Sequence, residues 1–251
     1  MAARIGIIGG SGVERPEAGF VETVVETPYG QALAWVGSGA MADVVFLSRH
    51  GVEHDIPPHK INYRANIKAL QQLGVDRAIA TFAVGGIAED IPPGAVVALD
   101  DAIDLTSGRE STFFDGGDSG LKHTPFSKAF SPALRDAIVR LGPIHSLAIR
   151  PSGTYICFNG PRFETAAEIR MSRILGADVV GMTAMPEAIL ARELGIHYGG
   201  IAVSVNWAAG IEVELTLDFG ALESIRGKLL PLILEALRTT QLQPAMLTEG
   251  H

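Results

Sequence analysis

Arg4-Ile5-Gly6-Ile7-Ile8-Gly9-Gly10-Ser11-Gly12 is an apolar run of strand length that breaks into glycines. The isoleucines predict a buried strand, and the glycines after it let backbone N–H groups approach an anion closely, with the Ser11 hydroxyl as an added donor. Apolar runs of similar length recur at 43–47, 77–83, 95–99, 178–181 and 198–205, and these also read as buried strands. Helix-period segments lie between and after them, at 64–73, 132–141, 165–175, 186–194 and 219–237. Pro132 and Pro186 suit a first helical turn, where a missing N–H costs nothing. Gly74, Gly142, Gly176 and Gly195 each follow a helical stretch and read as stops. Alternation without a linker predicts an α/β fold over residues 1–239: one domain with a mixed, mostly parallel central sheet flanked by helices. Residues 240–251 read as a tail, and loops of the length of 106–130 and 207–216 are usually functional or lie at interfaces.

The composition narrows the function classes. Twenty basic against 28 acidic side chains leave a net charge of −8, which argues against a partner with a phosphate backbone such as nucleic acid. Charged residues are 19% of the chain, below the roughly 25% typical of soluble domains, so subunit contacts are expected to hide extra surface. The single cysteine, Cys157, excludes an internal disulfide framework and a thiolate zinc cluster. Nor does any motif place a histidine beside it to make a nucleophile. No apolar run approaches the roughly 18 residues of a membrane span and no signal-peptide pattern opens the chain, so a cytoplasmic protein without membrane contact is expected.

Six segments at strand ends or turns carry chemistry. Gly9–Gly12 suits an anion or simply a tight turn. Arg15 stands where a dinucleotide fingerprint needs its third glycine, and the Gly-Lys-Ser/Thr of a P-loop is missing. Ser48-Arg49-His50-Gly51 offers a guanidinium fork matched to phosphate oxygens, the bland alternative being a surface ion pair. His50, His54 and His59 fit neither one helical face nor a zinc-ligand spacing, so no metal is expected. Phe82-Ala83-Val84-Gly85-Gly86 brings bare backbone to a strand end. Asn159-Gly160-Pro161-Arg162-Phe163-Glu164 combines an aromatic face with a carboxylate that can accept from a ring N–H. Gly181-Met182-Thr183-Ala184-Met185-Pro186-Glu187 joins a strand end, a hydroxyl and a helix start, either methionine being equally at home in the core. Ser204-Val205-Asn206-Trp207-Ala208-Ala209-Gly210 ends a strand in an amide and an indole, and Asn206 also suits an ordinary turn. All six are expected to converge on one edge of the sheet.

Together with Asn62-Tyr63-Arg64-Ala65-Asn66-Ile67, these segments resemble, over nearly the whole chain, the trimeric type of the purine nucleoside phosphorylase and methylthioadenosine phosphorylase family. The resemblance implies phosphorolysis: inorganic phosphate, a co-substrate rather than a cofactor, attacks C1′ of a purine nucleoside and releases the base. It implies that Ser11, Arg49, His50, the Phe82–Ala83 backbone and Thr183 hold phosphate, with Met182 under the ribose and Phe163, Glu164, Asn206, Trp207 and Ala208 around the base. His50 and Asn206 are the catalytic candidates, no cofactor is implied, and a homotrimer is expected.

Base choice follows from two positions. Adenosine-type relatives carry aspartates where this chain has Asn206 and Ala208, and a small hydroxyl where it has Glu164. An ionised Glu164 accepts from the N1–H that only a 6-oxopurine carries, and the Asn206 amide donates toward O6 or N7. At the 5′ end, residues 212–221 lack the histidine of relatives that want a free hydroxyl. Leu217 falls where methylthio-specific relatives place an aliphatic wall, and His123 matches a position contributed by a neighbouring subunit. The combination resembles that of the methylthioinosine-cleaving members of the family, so this activity is the expectation. An inosine/guanosine phosphorylase, a methylthioadenosine phosphorylase and a non-catalytic purine- or phosphate-binding protein are the alternatives, a dinucleotide-dependent oxidoreductase being weaker still. Phe82 and Trp207 depart from the family pattern.

Overall fold

A computed structural model describes residues 3–16, 18–212 and 217–242. In chain order the elements are β1 (Arg4–Gly9), β2 (Phe20–Thr27), β3 (Gly30–Gly37), β4 (Val44–Ser48), α1 (Tyr63–Gln72), β5 (Val75–Gly86), β6 (Val96–Ala98) and β7 (Asp101–Asp104). They continue as α2 (Pro132–Leu141), β8 (Ile149–Arg150), β9 (Thr154–Cys157), α3 (Ala166–Ile174), β10 (Val179–Gly181), α4 (Ala184–Glu193), β11 (His197–Trp207) and α5 (Phe219–Thr239).

One sheet holds all eleven strands, in the order β2-β3-β4-β1-β5-β10-β9-β7, with β11 branching from β5 and leading through β6 to β8. The strands that meet at the centre are parallel, β4 with β1, β1 with β5, and β5 with β11. Antiparallel pairs are β2 with β3, β3 with β4, β10 with β5 and β11 with β6. The continuous apolar runs of the central strands have a simple cause: both faces are covered. Ile5, Ile7, Ile79, Ile201 and Val203 face α2 and α5, packing with Leu134, Ile138, Leu229, Leu232 and Ile233. The alternate residues Ile8, Ala78, Ala80 and Ala202 face the other way, toward Ile67 and Leu70 of α1 and Ala188 and Leu190 of α4. On α5 the buried positions 229, 232, 233, 236 and 237 give the 3–4 spacing of one apolar stripe.

Three departures from expectation have local causes. The hairpin β2–β3 comes from FVETVVET, whose outer face is exposed, so it lacks the continuous apolar run that marks the central strands. The short β7 and β9 pair in parallel at the far edge and carry too few residues for a periodic signal. Gly142 does not stop α2 in a left-handed conformation: it stays right-handed, a 3-10 turn runs on to His145, and Ser146 takes the left-handed position at φ 56°. Gly74, Gly176 and Gly195 do adopt positive φ. The supposed tail is described only to 242, and the rest lies outside the described residues.

Candidate active site

The parallel strands β1, β4, β5 and β11 end at one edge, where open α/β sheets bind ligands. A cavity of about 510 Å³ opens there. Its lining includes Ser11, Arg49, His50, Phe82, Ala83, Phe163, Glu164, Met182, Thr183, Asn206 and Leu217. Two features of strand pairing produce this convergence. Antiparallel pairing of Val180 with Gly85 turns β10 back along β5, so the chain after Gly181 returns toward Val84 and Ala83. On β11, Ser204 pairs with Val84 and Asn206 with Gly85, leaving Val205 as a one-residue bulge. Neighbouring strand residues normally face opposite sides; the bulge re-aims one of them, and Val205 and Asn206 both reach the cavity.

The glycine turn sits directly against the second strand end. The Gly10 N–H donates to Thr81 Oγ1 at 3.0 Å, and the Arg49 N–H donates to the Gly9 carbonyl at 3.0 Å. A Cβ on Gly10 would stand 2.5 Å from the Thr81 carbonyl oxygen and 2.7 Å from Arg49 Nη1, so no side chain fits there. Arg49 is not the surface ion pair of the bland reading. It is 1% exposed, with Nε and Nη2 donating to the two Glu187 carboxylate oxygens at 2.7 and 2.8 Å. Its Nη1 donates to the Thr81 carbonyl at 3.0 Å, and the Phe82 ring lies 4.7 Å from the guanidinium carbon. Tyr198 donates its hydroxyl to the same Glu187. The fork is therefore held on three sides in the cavity wall. The Phe82 ring packs against Arg49 and Tyr155, and only its backbone remains for an anion.

His50 is buried, and its Nδ1 lies 2.9 Å from the Ile56 carbonyl oxygen. A carbonyl only accepts, so Nδ1 carries the proton and a neutral ring leaves a lone pair on Nε2. Burial first, then the charge of Arg49, pushes the imidazole pKa down to about 4. The unfolded chain then binds a proton that the folded chain refuses between about pH 6.5 and 4, so stability rises with pH across that window. Thermal melts of the parent are expected to lose stability more steeply between pH 6.5 and 4 than those of His50→Asn; equal slopes would show that His50 is not held neutral.

His54 stacks on His50 with ring centroids 4.6 Å apart, and its Nε2 lies 3.5 Å from Ser11 Oγ. His59 sits on a separate 3-10 turn. Among the described residues no group of His, Cys, Asp or Glu is arranged to hold a metal. Cys157 is buried, and burial pushes its thiol up to about 12, out of reach of nucleophilic use at neutral pH.

The far wall is set by the start of α3. Thr165 caps the helix through the Glu168 N–H at 3.1 Å, and the Glu168 carboxylate accepts from the Thr165 N–H at 2.7 Å. Arg162 adds two bonds to Glu168 at 2.8 and 2.7 Å. Glu168 is thus committed, its carboxyl held down to about 2 by Arg162 and by the cap. Glu164, 8% exposed in the cavity, is the carboxylate with acceptors to spare, and burial raises its pKa above the ordinary value. Asn206 donates from Nδ2 to the Trp207 carbonyl at 2.7 Å, which fixes its amide plane.

Three anticipated residues do not reach this wall. Ala208 is buried against Ile87, Ile169 and Val180, Trp207 lies past the bulge, and His123 is exposed on the long loop. Glu187, quoted in its segment without a role, and Tyr198 stand behind Arg49, and the 54–58 turn, known from the sequence only for His54 as a rejected metal ligand, closes the cavity on the His50 side. Glu187 had one sequence signal, a lone carboxylate entering the apolar run Ala188-Ile189-Leu190-Ala191.

The Phosphorylase superfamily profile matches residues 4–237, and the chain belongs to that family. Within it the chain is a pentosyltransferase of the nucleoside phosphorylase type, with activity of the purine nucleoside phosphorylase kind. The 6-oxopurine nucleoside phosphorylase of Pyrococcus furiosus is 51% identical over 214 residues, 83% of this chain and 81% of that protein. A probable S-methyl-5′-thioinosine phosphorylase of Thermodesulfovibrio yellowstonii is 44% identical, covering 83% of this chain and 79% of its own. Methylthioadenosine phosphorylase from Schistosoma mansoni superposes with a TM-score of 0.84 at 32% identity, covering 94% of this chain and 90% of that one.

Proposed function

We propose that the protein catalyses phosphorolysis of S-methyl-5′-thioinosine to hypoxanthine and 5-methylthioribose 1-phosphate. The observation that carries this reading is a buried carboxylate, Glu164, sharing the cavity with an amide, Asn206, where no aspartate stands at 206 or 208. An ionised Glu164 accepts from N1–H, a donor that adenine lacks, and a buried acceptor left unpaired is costly. The 44% identical relative named for methylthioinosine supports the same choice.

In the proposed reaction a phosphate oxygen attacks C1′ as the C1′–N9 bond breaks and its electron pair enters the purine. The Ser11, Arg49, His50, Thr183 and Ala83 backbone group holds phosphate beneath the sugar, where its charge faces the oxocarbenium-like centre. Nε2 of neutral His50 accepts from a protonated phosphate oxygen, and the Asn206 amide donates to the base as charge reaches N7. Fixing the two reactants together supplies part of the ~7–11 kcal/mol available from orientation. Leu217, at the cavity rim, supports an aliphatic 5′ wall. Met171, Ile174 and Leu175 of the α3 end are exposed, which supports burial in a homotrimer, where His123 would serve a neighbouring site. The proposal includes no cofactor and a cytoplasmic location; no described helix is long and apolar enough to cross a membrane.

The 51% identical 6-oxopurine nucleoside phosphorylase favours a second reading, inosine or guanosine as substrate. Phosphate-dependent turnover of methylthioinosine, inosine and methylthioadenosine side by side separates them. Methylthioinosine is expected to give the highest kcat/KM. Preference for inosine keeps the base assignment and removes the methylthio one, and preference for methylthioadenosine overturns both.

A further inference from the structure

Arg109 stands on the long loop between β7 and α2, outside the cavity lining, yet its guanidinium touches three of the segments that form the cavity. Nη2 donates to the carbonyls of Asn159 and Met182, each at 2.8 Å, and reaches that of Phe158 at 3.5 Å. Nη1 donates to the Met185 carbonyl and to the Tyr63 hydroxyl. Tyr63 in turn donates to the Pro58 carbonyl at 3.0 Å, and Pro58 lines the cavity. Nε alone finds no partner among the described residues.

The Phe158, Asn159 and Met182 carbonyls lie just past the ends of β9 and β10, and Met185 takes a non-helical conformation at the start of α4; a single planar fork gathers all four at one point. The turn it holds is packed tightly on the next one. Gly160 has φ +60°, and a Cβ there would stand 2.5 Å from Met182 Sδ. Asn159 is also locked to the start of the loop, its Oδ1 accepting from the Ser107 N–H at 3.1 Å and its Nδ2 donating to the Ser107 carbonyl at 3.0 Å. The turn that leads to Phe163 and Glu164 and the strand end that carries Met182 are therefore tied to each other through Arg109.

We infer that Arg109 is a positioning residue that sets the angle between the ribose floor at Met182 and the base wall at Phe163–Glu164. The inference rests on the reading of the site given above. Of the residues placed around phosphate, Ser11, Arg49, His50 and Ala83 stand apart from these hydrogen bonds, and only Thr183 lies between two of the carbonyls that Arg109 holds, so its effect falls first on the nucleoside and reaches phosphate through Thr183 alone.

Steady-state kinetics of the full chain with inosine or methylthioinosine, varying nucleoside and phosphate separately, tests this. Arg109→Lys keeps the charge and the stem but presents one ammonium where the fork spans several carbonyls. It is expected to raise the nucleoside KM and lower kcat, with kcat/KM for nucleoside down about 100-fold and the phosphate KM, coupled only through Thr183, up by no more than about tenfold. Arg109→Ala is expected to regain activity on addition of millimolar guanidinium, which a merely unfolded variant cannot do. A nucleoside kcat/KM within threefold of the parent in Arg109→Lys overturns the inference, as does an equal rise in both KM values without rescue. Failure of the parent to turn over any nucleoside instead overturns the reading of the site.

Discussion

Arg49→Ala is expected to lower the melting temperature and raise the phosphate KM together. Removing the guanidinium leaves Glu187, fully buried, with an uncompensated charge. Breaking one side of a buried pair costs about 3–5 kcal/mol, or roughly 6–20 °C in a chain of this size. Loss of hydrogen bonds to a charged ligand, about 1.5–3 kcal/mol, corresponds to a phosphate KM about 10- to 100-fold higher. The nucleoside KM is expected to move far less. Glu187→Gln separates the two roles of the pair. It also destabilises, but the charge left buried is now the cation, and an added anion compensates it. Thermal melts with and without phosphate decide: the stabilising shift is expected to be larger than the parent's in Glu187→Gln and absent in Arg49→Ala. Equal shifts in all three proteins would place the phosphate away from Arg49.

Much of this was legible in the chain because the central strands are buried on both faces. The mainly apolar runs 4–9, 77–83 and 198–205 announce three of them, and the strands they belong to end in the glycine turn, the bare backbone and Asn206. Strands at the edges were not legible for the opposite reason, since β2 is wet on one face and β9 is four residues long. The bulge at Val205 leaves no mark in composition, because it arises from register against β5. Arg49 was visible as a candidate, but its burial was not: a cation after an apolar strand reads as surface until its partner 138 residues away is known. Arg109 was invisible by the same logic, its partners being carbonyls that every residue carries.

Glu164→Gln is expected to cost inosine or methylthioinosine about 100-fold in kcat/KM while leaving 6-amino nucleosides nearly untouched. The carboxylate is an acceptor only, so it pairs N1–H with a charge-assisted bond; the amide that replaces it is neutral and half donor, a loss of up to about 3 kcal/mol. Asn206→Asp should act on the same choice from the other side of the base, lowering 6-oxopurine turnover and admitting adenine nucleosides. The two carboxyl variants are told apart by pH. Burial raises the Glu164 pKa, so the group takes up a proton at a higher pH than an ordinary glutamate. Its acceptor is then lost as pH falls through that raised value, and kcat/KM, which reports the free enzyme, should fall with it. In Glu164→Gln the acid limb should shift to lower pH or flatten, because nothing at 164 titrates. An acid limb that stays in place in the glutamine variant would assign it to another group, and an unchanged ratio of inosine to adenosine turnover would remove Glu164 from base selection altogether.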